Sequence, residues 1–181
     1  HEHAQLRLGV IYQNEIKNIY KAIHYYQLAA NQNHSESLYC LGVIYRDNEF
    51  IPSDIDKSFH YFLLASKQNH IKALTELGIY YYNVTSNYDE AIRYFILASD
   101  NDDVSAQYNL GMIYLKSSNY SDINKAIHYL TLAADNNFPK AQYKIAMIYY
   151  QNKYVPTDIN KAYHYFTLAA NNNYAKALDR L

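Results

Sequence analysis

Apolar residues along this chain fall at helical intervals in short paired blocks, each pair divided by a polar loop. The stretch Ala106 to Phe138, AQYNLGMIYLKSSNYSDINKAIHYLTLAADNNF, shows the pattern most cleanly and predicts two short helices joined by a Ser/Asn-rich loop. Versions of it recur throughout. The motif A-x-x-x-L-G-x-x-Y sets the register, with its first position at Ala4, Ser37, Ala73, Ala106, Ala141 and Ala177, separated by 33, 36, 33, 35 and 36 residues. Self-similarity at this period marks a repeat architecture. A single array is expected over 1–181, with repeats at about 1–33, 34–69, 70–102, 103–137 and 138–173 and the start of a sixth at 174–181.

Within each unit the residue types are tightly ordered. The chain's four glycines, Gly9, Gly42, Gly78 and Gly111, all occupy one position of the first helix, and Ala146 takes it in the fifth repeat. Glycine in a helix costs about 0.5–1 kcal/mol relative to alanine, so this position is expected to face a neighbour too close for a larger side chain. The Tyr position, Tyr12, Tyr45, Tyr81, Tyr114 and Tyr149, is expected on the same packed face. The second helix opens on Lys-Ala or a variant and closes on Leu-Ala-small, with bulky aromatics between, such as Tyr25-Tyr26 and Tyr165-Phe166. Large beside small is how close-packed helices interdigitate.

Punctuation marks the helix ends. Asn18, Asp54, Asn87, Asp122 and Asp158 stand where second helices should be N-capped, and Asn87 with Glu90 has capping-box spacing. Asn33, Asn69, Asp102, Asn137 and Asn173 follow the second helices, and Asn and Asp tolerate the left-handed stop conformation better than other non-glycine residues. Pro139 falls where a first helical residue belongs. Length varies only between the two helices of a unit, as an exposed loop permits.

On a wheel of about 100° per residue, the second, sixth and ninth positions after the motif Ala fall near 200°, 240° and 180°, opposite the Leu, Gly and Tyr. Equivalent positions in stacked repeats form columns. The second-position column is Leu6, Tyr39, Thr75, Tyr108 and Tyr143. The sixth is Val10, Val43, Ile79, Met112 and Met147. The ninth is Gln13, Arg46, Tyr82, Leu115 and Tyr150. This face is more apolar and aromatic than a solvated helix needs, and Tyr and Arg dominate binding hot spots. The candidate protein-binding residues are Tyr39, Arg46, Tyr82, Tyr108, Met112, Leu115, Tyr143 and Tyr150. Packing against the next repeat is the competing role for the same side chains.

Composition narrows the chemistry. Net charge is −1 with 23 Tyr and no Trp among 181 residues, which argues against nucleic acid or an anionic membrane as main partner. Cys40 is the only cysteine, so no internal disulfide forms, and a reducing compartment is expected. No apolar run approaches membrane-helix length and no signal peptide is visible. Three Asn-x-Ser/Thr triplets, at Asn33, Asn83 and Asn119, are expected by chance in so Asn-rich a chain. His24, His60, His128 and His164 hold one position, but stacked helices stand about 8–10 Å apart, too far for one column to converge on a metal with bonds of about 2 Å. No phosphate loop, catalytic set, metal site or cofactor is expected.

The unit A-x-x-x-L-G-x-x-Y, a variable loop, then D-x-x-K-A-x-x-Y-[YF]-x-x-A-A resembles the Sel1-like repeat, a relative of the tetratricopeptide repeat, across essentially the whole chain. Asn or Asp stands where that family usually ends its second helix with Gly. The resemblance implies an all-α, right-handed α-solenoid of helix-turn-helix repeats, non-catalytic, acting as a scaffold or adaptor for a protein or peptide partner on its concave face. The reducing compartment expected from the lone Cys40 puts the chain inside the cell, in the cytoplasm, and the Tyr- and Asn-rich style is similar to Sel1-like proteins for which that cytoplasm is a host's. A helical-repeat binder of single-stranded RNA and a purely structural spacer are the alternatives. Neither terminus has a polar capping helix, so continuation of the array or end-to-end association is also expected.

Overall fold

A computed structural model describes residues 1–180 and contains, among them, eleven α-helices and no strand. The chain divides into two units, His1–Leu97 and Ala98–Leu181. The first holds α1 (Glu2–Asn14), α2 (Ile19–Ala30), α3 (Ser35–Arg46), α4 (Ile55–Ser66), α5 (Ile71–Asn83) and most of α6 (Tyr88–Ser99). The second holds α7 (Val104–Lys116), α8 (Ile123–Asp135), α9 (Pro139–Tyr150), α10 (Ile159–Asn171) and the short α11 (Ala175–Leu178). Leu181, which closes the expected sixth repeat, lies outside the described residues. Within each unit, consecutive helices pack on one another: α1 on α2 through α4 on α5 in the first, and α7 on α8 through α10 on α11 in the second.

The expected close approach is present, and its cause is a side chain. A Cβ added to Gly9 would meet the Tyr26 ring at 2.5 Å, and one on Gly42 or Gly78 would meet Phe62 or Phe95 at 2.5–2.6 Å. The second helix thus lays its central aromatic across the bare backbone of the first. Ala22, Ala29, Leu41, Ala65, Leu77, Leu110, Ala126, Leu130, Ala133, Ile145 and Ala169 are fully buried around these contacts. Burial of this apolar surface is the main force holding each hairpin together.

Helix punctuation follows the sequence expectation with one exception. Asn18, Asp54, Asn87 and Asp158 accept from the N–H three residues on, and Asp122 from Asn124 and Lys125. The Asn87–Glu90 capping box is only half made. The Asn87 N–H donates to the Tyr81 carbonyl and the Thr85 hydroxyl, while the Glu90 carboxylate turns to Arg93. Asn33, Asn69, Asp102, Asn137 and Asn173 all adopt the left-handed conformation, with φ between 56° and 62°. Lys17 and Ser86, in the two shortest loops, adopt it too, at 55° and 54°; no residue preference signalled that.

The five loops differ in length yet close on the same hydrogen bond. The N–H of Asn18, Asp54, Asn87, Asp122 and Asp158 donates to the carbonyl of Tyr12, Tyr45, Tyr81, Tyr114 and Tyr149 respectively, at 2.7–3.0 Å. Above this bond the same tyrosines stack on the second helix: Tyr12 on Tyr25, Tyr45 on Tyr61, Tyr81 on Tyr94 and Tyr114 on Tyr129, with interplanar angles of 5–10°. Lys21, Lys57, Lys125 and Lys161 place their ammonium groups 4.8–5.2 Å from the motif tyrosine rings. Cation–π contact therefore covers the loop end of each of those hairpins. This explains why Lys and Tyr recur together at these hairpin ends.

Candidate binding surface

The second-position tyrosines lie in seams between repeats. Tyr39 on α3 stacks on His70 at 4.7 Å; Tyr108 on α7 meets Phe138 at 5.3 Å; Tyr143 on α9 meets Tyr174 at 5.2 Å and Phe166 at 5.7 Å. His70, Phe138 and Tyr174 are the N-cap residues of the next first helices. All three tyrosines remain half-buried, so each packs with one edge and offers the other. Burial pushes the Tyr39 and Tyr108 hydroxyls above the usual tyrosine range, which keeps them neutral hydrogen-bonding groups.

The other columns divide more sharply. Met112 is half-buried, Leu115 is buried, and Tyr150 is exposed and stands edge-on to Phe166 at 6.2 Å. Tyr82 sets its ring edge-on to Tyr88 at 5.5 Å. Arg46 donates to Asp47 and to Glu76 of α5, with its guanidinium 5.8 Å from the Phe62 ring. In α1 the corresponding Gln13 accepts from the Tyr26 hydroxyl at 2.7 Å.

Two hollows bring some of these residues together. In the first unit a cavity of about 200 Å³ is lined by Arg46, Phe62, Glu76, Ile79, Tyr80 and Asn83, among others. In the second, one of about 290 Å³ is lined by Leu115, Lys116, Tyr143, Lys144, Met147 and Gln151, among others. In the repeat register Arg46 corresponds to Leu115, Glu76 to Lys144, Ile79 to Met147 and Asn83 to Gln151. With Tyr80 matching Ile148, the hollows share five first-helix positions, but α4 completes the first with Ile55, Ser58, Phe59 and Phe62, whereas Lys116, Tyr143, Lys153 and Tyr154 complete the second. Candidates Arg46, Leu115 and Tyr143 line them; Tyr39, Tyr82, Tyr108, Met112 and Tyr150 do not. Glu76 and Lys144 were missed. They hold the third position after the motif Ala, and reading that column as Arg7, Cys40, Glu76, Asn109 and Lys144 would have shown its changing charge.

Other chemistry-bearing side chains have plain roles. His34 and His70 cap α3 and α5 through Nδ1, at 3.3 Å from the Ser37 and Ala73 N–H nitrogens. His24, His60, His128 and His164 are exposed and edge-on to the tyrosine that follows each. Among the described residues no cluster of three or more His, Cys, Asp or Glu side chains is placed to hold a metal. Burial, with Glu36 adding to it, pushes the Cys40 thiol up to about 11, so it is not an activated thiolate. Among the described residues no helix is long and apolar enough to cross a membrane.

This stacking of helical hairpins defines an α-solenoid repeat protein. The Sel1 repeat model matches residues 2–34, 35–70, 71–103, 104–138 and 139–174, and the chain belongs to the Sel1 repeat family. A Sel1 repeat protein from Oxalobacter formigenes has the same fold at TM-score 0.88 and 25% identity, over 98% of this chain and 73% of that one. A protective antigen of uropathogenic Escherichia coli with an SLR fold matches at TM-score 0.86 and 23% identity, over 100% of this chain. The chain spans only 42% of that antigen's length. An immunity protein from Pseudomonas aeruginosa matches at TM-score 0.69 and 20% identity, over 97% of this chain and 69% of that one. A search of curated protein sequences gives no significant match. Sel1 repeat proteins are generally non-catalytic protein-interaction scaffolds.

Proposed function

We propose that this chain is a non-catalytic scaffold that binds a peptide or protein segment on the face formed by its first helices. The observation that carries this is a hollow in each unit, lined at five equivalent first-helix positions and rimmed by charged groups. Such a hollow suits one large apolar side chain of a partner, held by polar contacts at the rim. Tyr39 and Tyr108, in the adjoining seams, offer flat ring edges along the same columns. The family's general role in protein interaction supports the reading.

The test is selection of peptides from a random displayed library on the immobilised chain, followed by fluorescence polarisation with the enriched peptides. Ile79→Ala and Tyr143→Ala, checked for folding by circular dichroism, are expected to weaken binding about tenfold, the scale of a hot-spot truncation. Peptides that bind both variants as tightly as the parent chain would refute the reading.

A further inference from the structure

The two equivalent hollows differ in how their charge is balanced. In the first unit Glu76 projects from α5 and Arg46 from α3 meets it, so the ion pair is complete within the protein. In the second unit the position of Glu76 holds Lys144, and the position of Arg46 holds Leu115. Reversing one charge without reversing its partner leaves a half-buried ammonium over an apolar floor of Leu115, Met147 and Ile148.

The surroundings add to the imbalance. The helices α7, α9 and α11 carry Lys116, Lys140, Lys144 and Lys176 and no carboxylate. Lys116 and Lys153 line the same hollow as Lys144. Burial holds the Lys144 ammonium below the usual lysine range, and Lys116 and Lys176 push it the same way. Gathering like charges at a partly desolvated site costs stability unless something compensates them. Among the described residues the charges that act on Lys144 are the lysines Lys116 and Lys176, whereas the first unit supplies Glu76 at this place.

We infer that the hollow lined by Leu115, Tyr143, Lys144 and Met147 binds an acidic peptide segment of a partner protein, seating one large apolar side chain on its floor and carboxylates against Lys116, Lys144 and Lys176. This rests on the scaffold reading and names the chemistry of its partner. A partner carboxylate takes the place that Glu76 fills internally in the first unit. Nucleic acid fits less well. Its backbone needs a continued basic track, but the equivalent first-unit hollow presents Glu76 and the net charge of the chain is −1. A floor of Leu, Met and Ile also suits an aliphatic or aromatic side chain.

The experiment selects a random dodecapeptide library displayed on phage against the whole chain in physiological salt. Enriched peptides are then measured against the parent chain and against Lys144→Gln, Lys116→Gln and Lys67→Gln. The expected result is enrichment of peptides pairing carboxylates with a large apolar residue, bound about tenfold more weakly by Lys144→Gln and unchanged by Lys67→Gln, at an exposed position that lines neither hollow. Thermal unfolding of free Lys144→Gln is expected at or above the parent midpoint. A loss of stability would make Lys144 a structural residue and overturn the inference. Enriched peptides without acidic bias, or insensitive to both lysine changes, also overturn it, while the scaffold reading survives if Ile79→Ala or Tyr143→Ala weakens them. A library that yields no binder counts against both. Displacement of the enriched peptides by an equimolar single-stranded RNA oligomer would overturn the peptide assignment in favour of nucleic acid.

Discussion

Gly111 of α7 lies directly against Leu130 of α8: a Cβ at Gly111 would fall 2.6 Å from Leu130 Cγ and 3.2 Å from its backbone nitrogen. At Gly42 and Gly78 the obstructing atoms are ring carbons alone. Gly111→Ala therefore requires the helices themselves to separate. It is expected to lower stability by about 1–3 kcal/mol, in spite of a helix-propensity gain of about 1 kcal/mol. Urea unfolding measures this. In the fifth repeat, Ala146 already occupies the position, buried with Phe166. There Ala146→Gly is expected to cost about 1 kcal/mol through propensity. A stable Gly111→Ala variant would mean that the α7–α8 pair adjusts freely.

The left-handed residues after the second helices give a test with opposite outcomes at one site. Asn69 has φ 56°. Asn69→Gly is expected to change stability by only a few tenths of a kcal/mol, whereas Asn69→Ala is expected to cost about 1 kcal/mol, since a Cβ without a polar tip is disfavoured there. Equal unfolding midpoints for the two variants would contradict the role assigned to these positions.

The Arg46–Glu76 pair is enclosed on one side, with 15% of the Glu76 side chain exposed and 32% of Arg46. Removing Arg46 takes a guanidinium away from a largely enclosed carboxylate beside Ile79 and Phe62. Arg46→Ala is expected to cost about 1–3 kcal/mol. A double-mutant cycle with Glu76→Gln should return a coupling of at least about 0.5 kcal/mol. Strict additivity would show the two residues to be energetically independent.

Alkaline pH should loosen the first unit before other groups matter. Burial raises the Cys40 thiol from 9.0 to about 11, and burial also raises its hydrogen-bond partner Tyr26 above the usual tyrosine range. Both groups hold their protons more tightly folded than unfolded. The Cys40 contribution is fully present below the unfolded thiol value and is lost as pH climbs from about 9 toward 11, while that of Tyr26 starts to be lost only above its unfolded value of 10.0. The slope is at most about 1.4 kcal/mol per pH unit for each group. Urea midpoints measured from pH 8 to pH 11 should fall, and Cys40→Ser should flatten the first part of the fall. At neutral pH, iodoacetamide should modify Cys40 far more slowly in the native chain than after denaturation.

The hairpins, caps and helix stops were legible because each is a local event. An Asn after a Leu-Ala-Ala run or an Asp before a Lys-Ala pair acts within a few residues of itself, and the repeat shows it five times. The capping box failed because Glu90 had a competitor, Arg93, one turn on, and spacing alone does not rank competitors. The candidate face was legible only as columns. The wheel grouped Tyr39, Tyr108 and Tyr143 on one face but could not show that each also leans on the N-cap of the next first helix. Glu76 and Lys144 escaped notice because their significance lies in a difference between repeats. A consensus averages that difference away.

The hydrogen bond from each cap N–H to its motif Tyr carbonyl has an engineering consequence. It pins both ends of the connecting loop, five residues between Tyr12 and Asn18 or eight between Tyr45 and Asp54, so that beyond the first of them, such as Gln13 or Arg46, which still packs on the helices, the loop is held apart from the hairpin beneath. Doubling a flexible loop costs only about 0.6 kcal/mol in closure entropy. These five clamped bases are therefore natural ports, where foreign sequences such as epitopes, recognition tags or whole domains can be grafted onto the scaffold while its first-helix face stays unaltered.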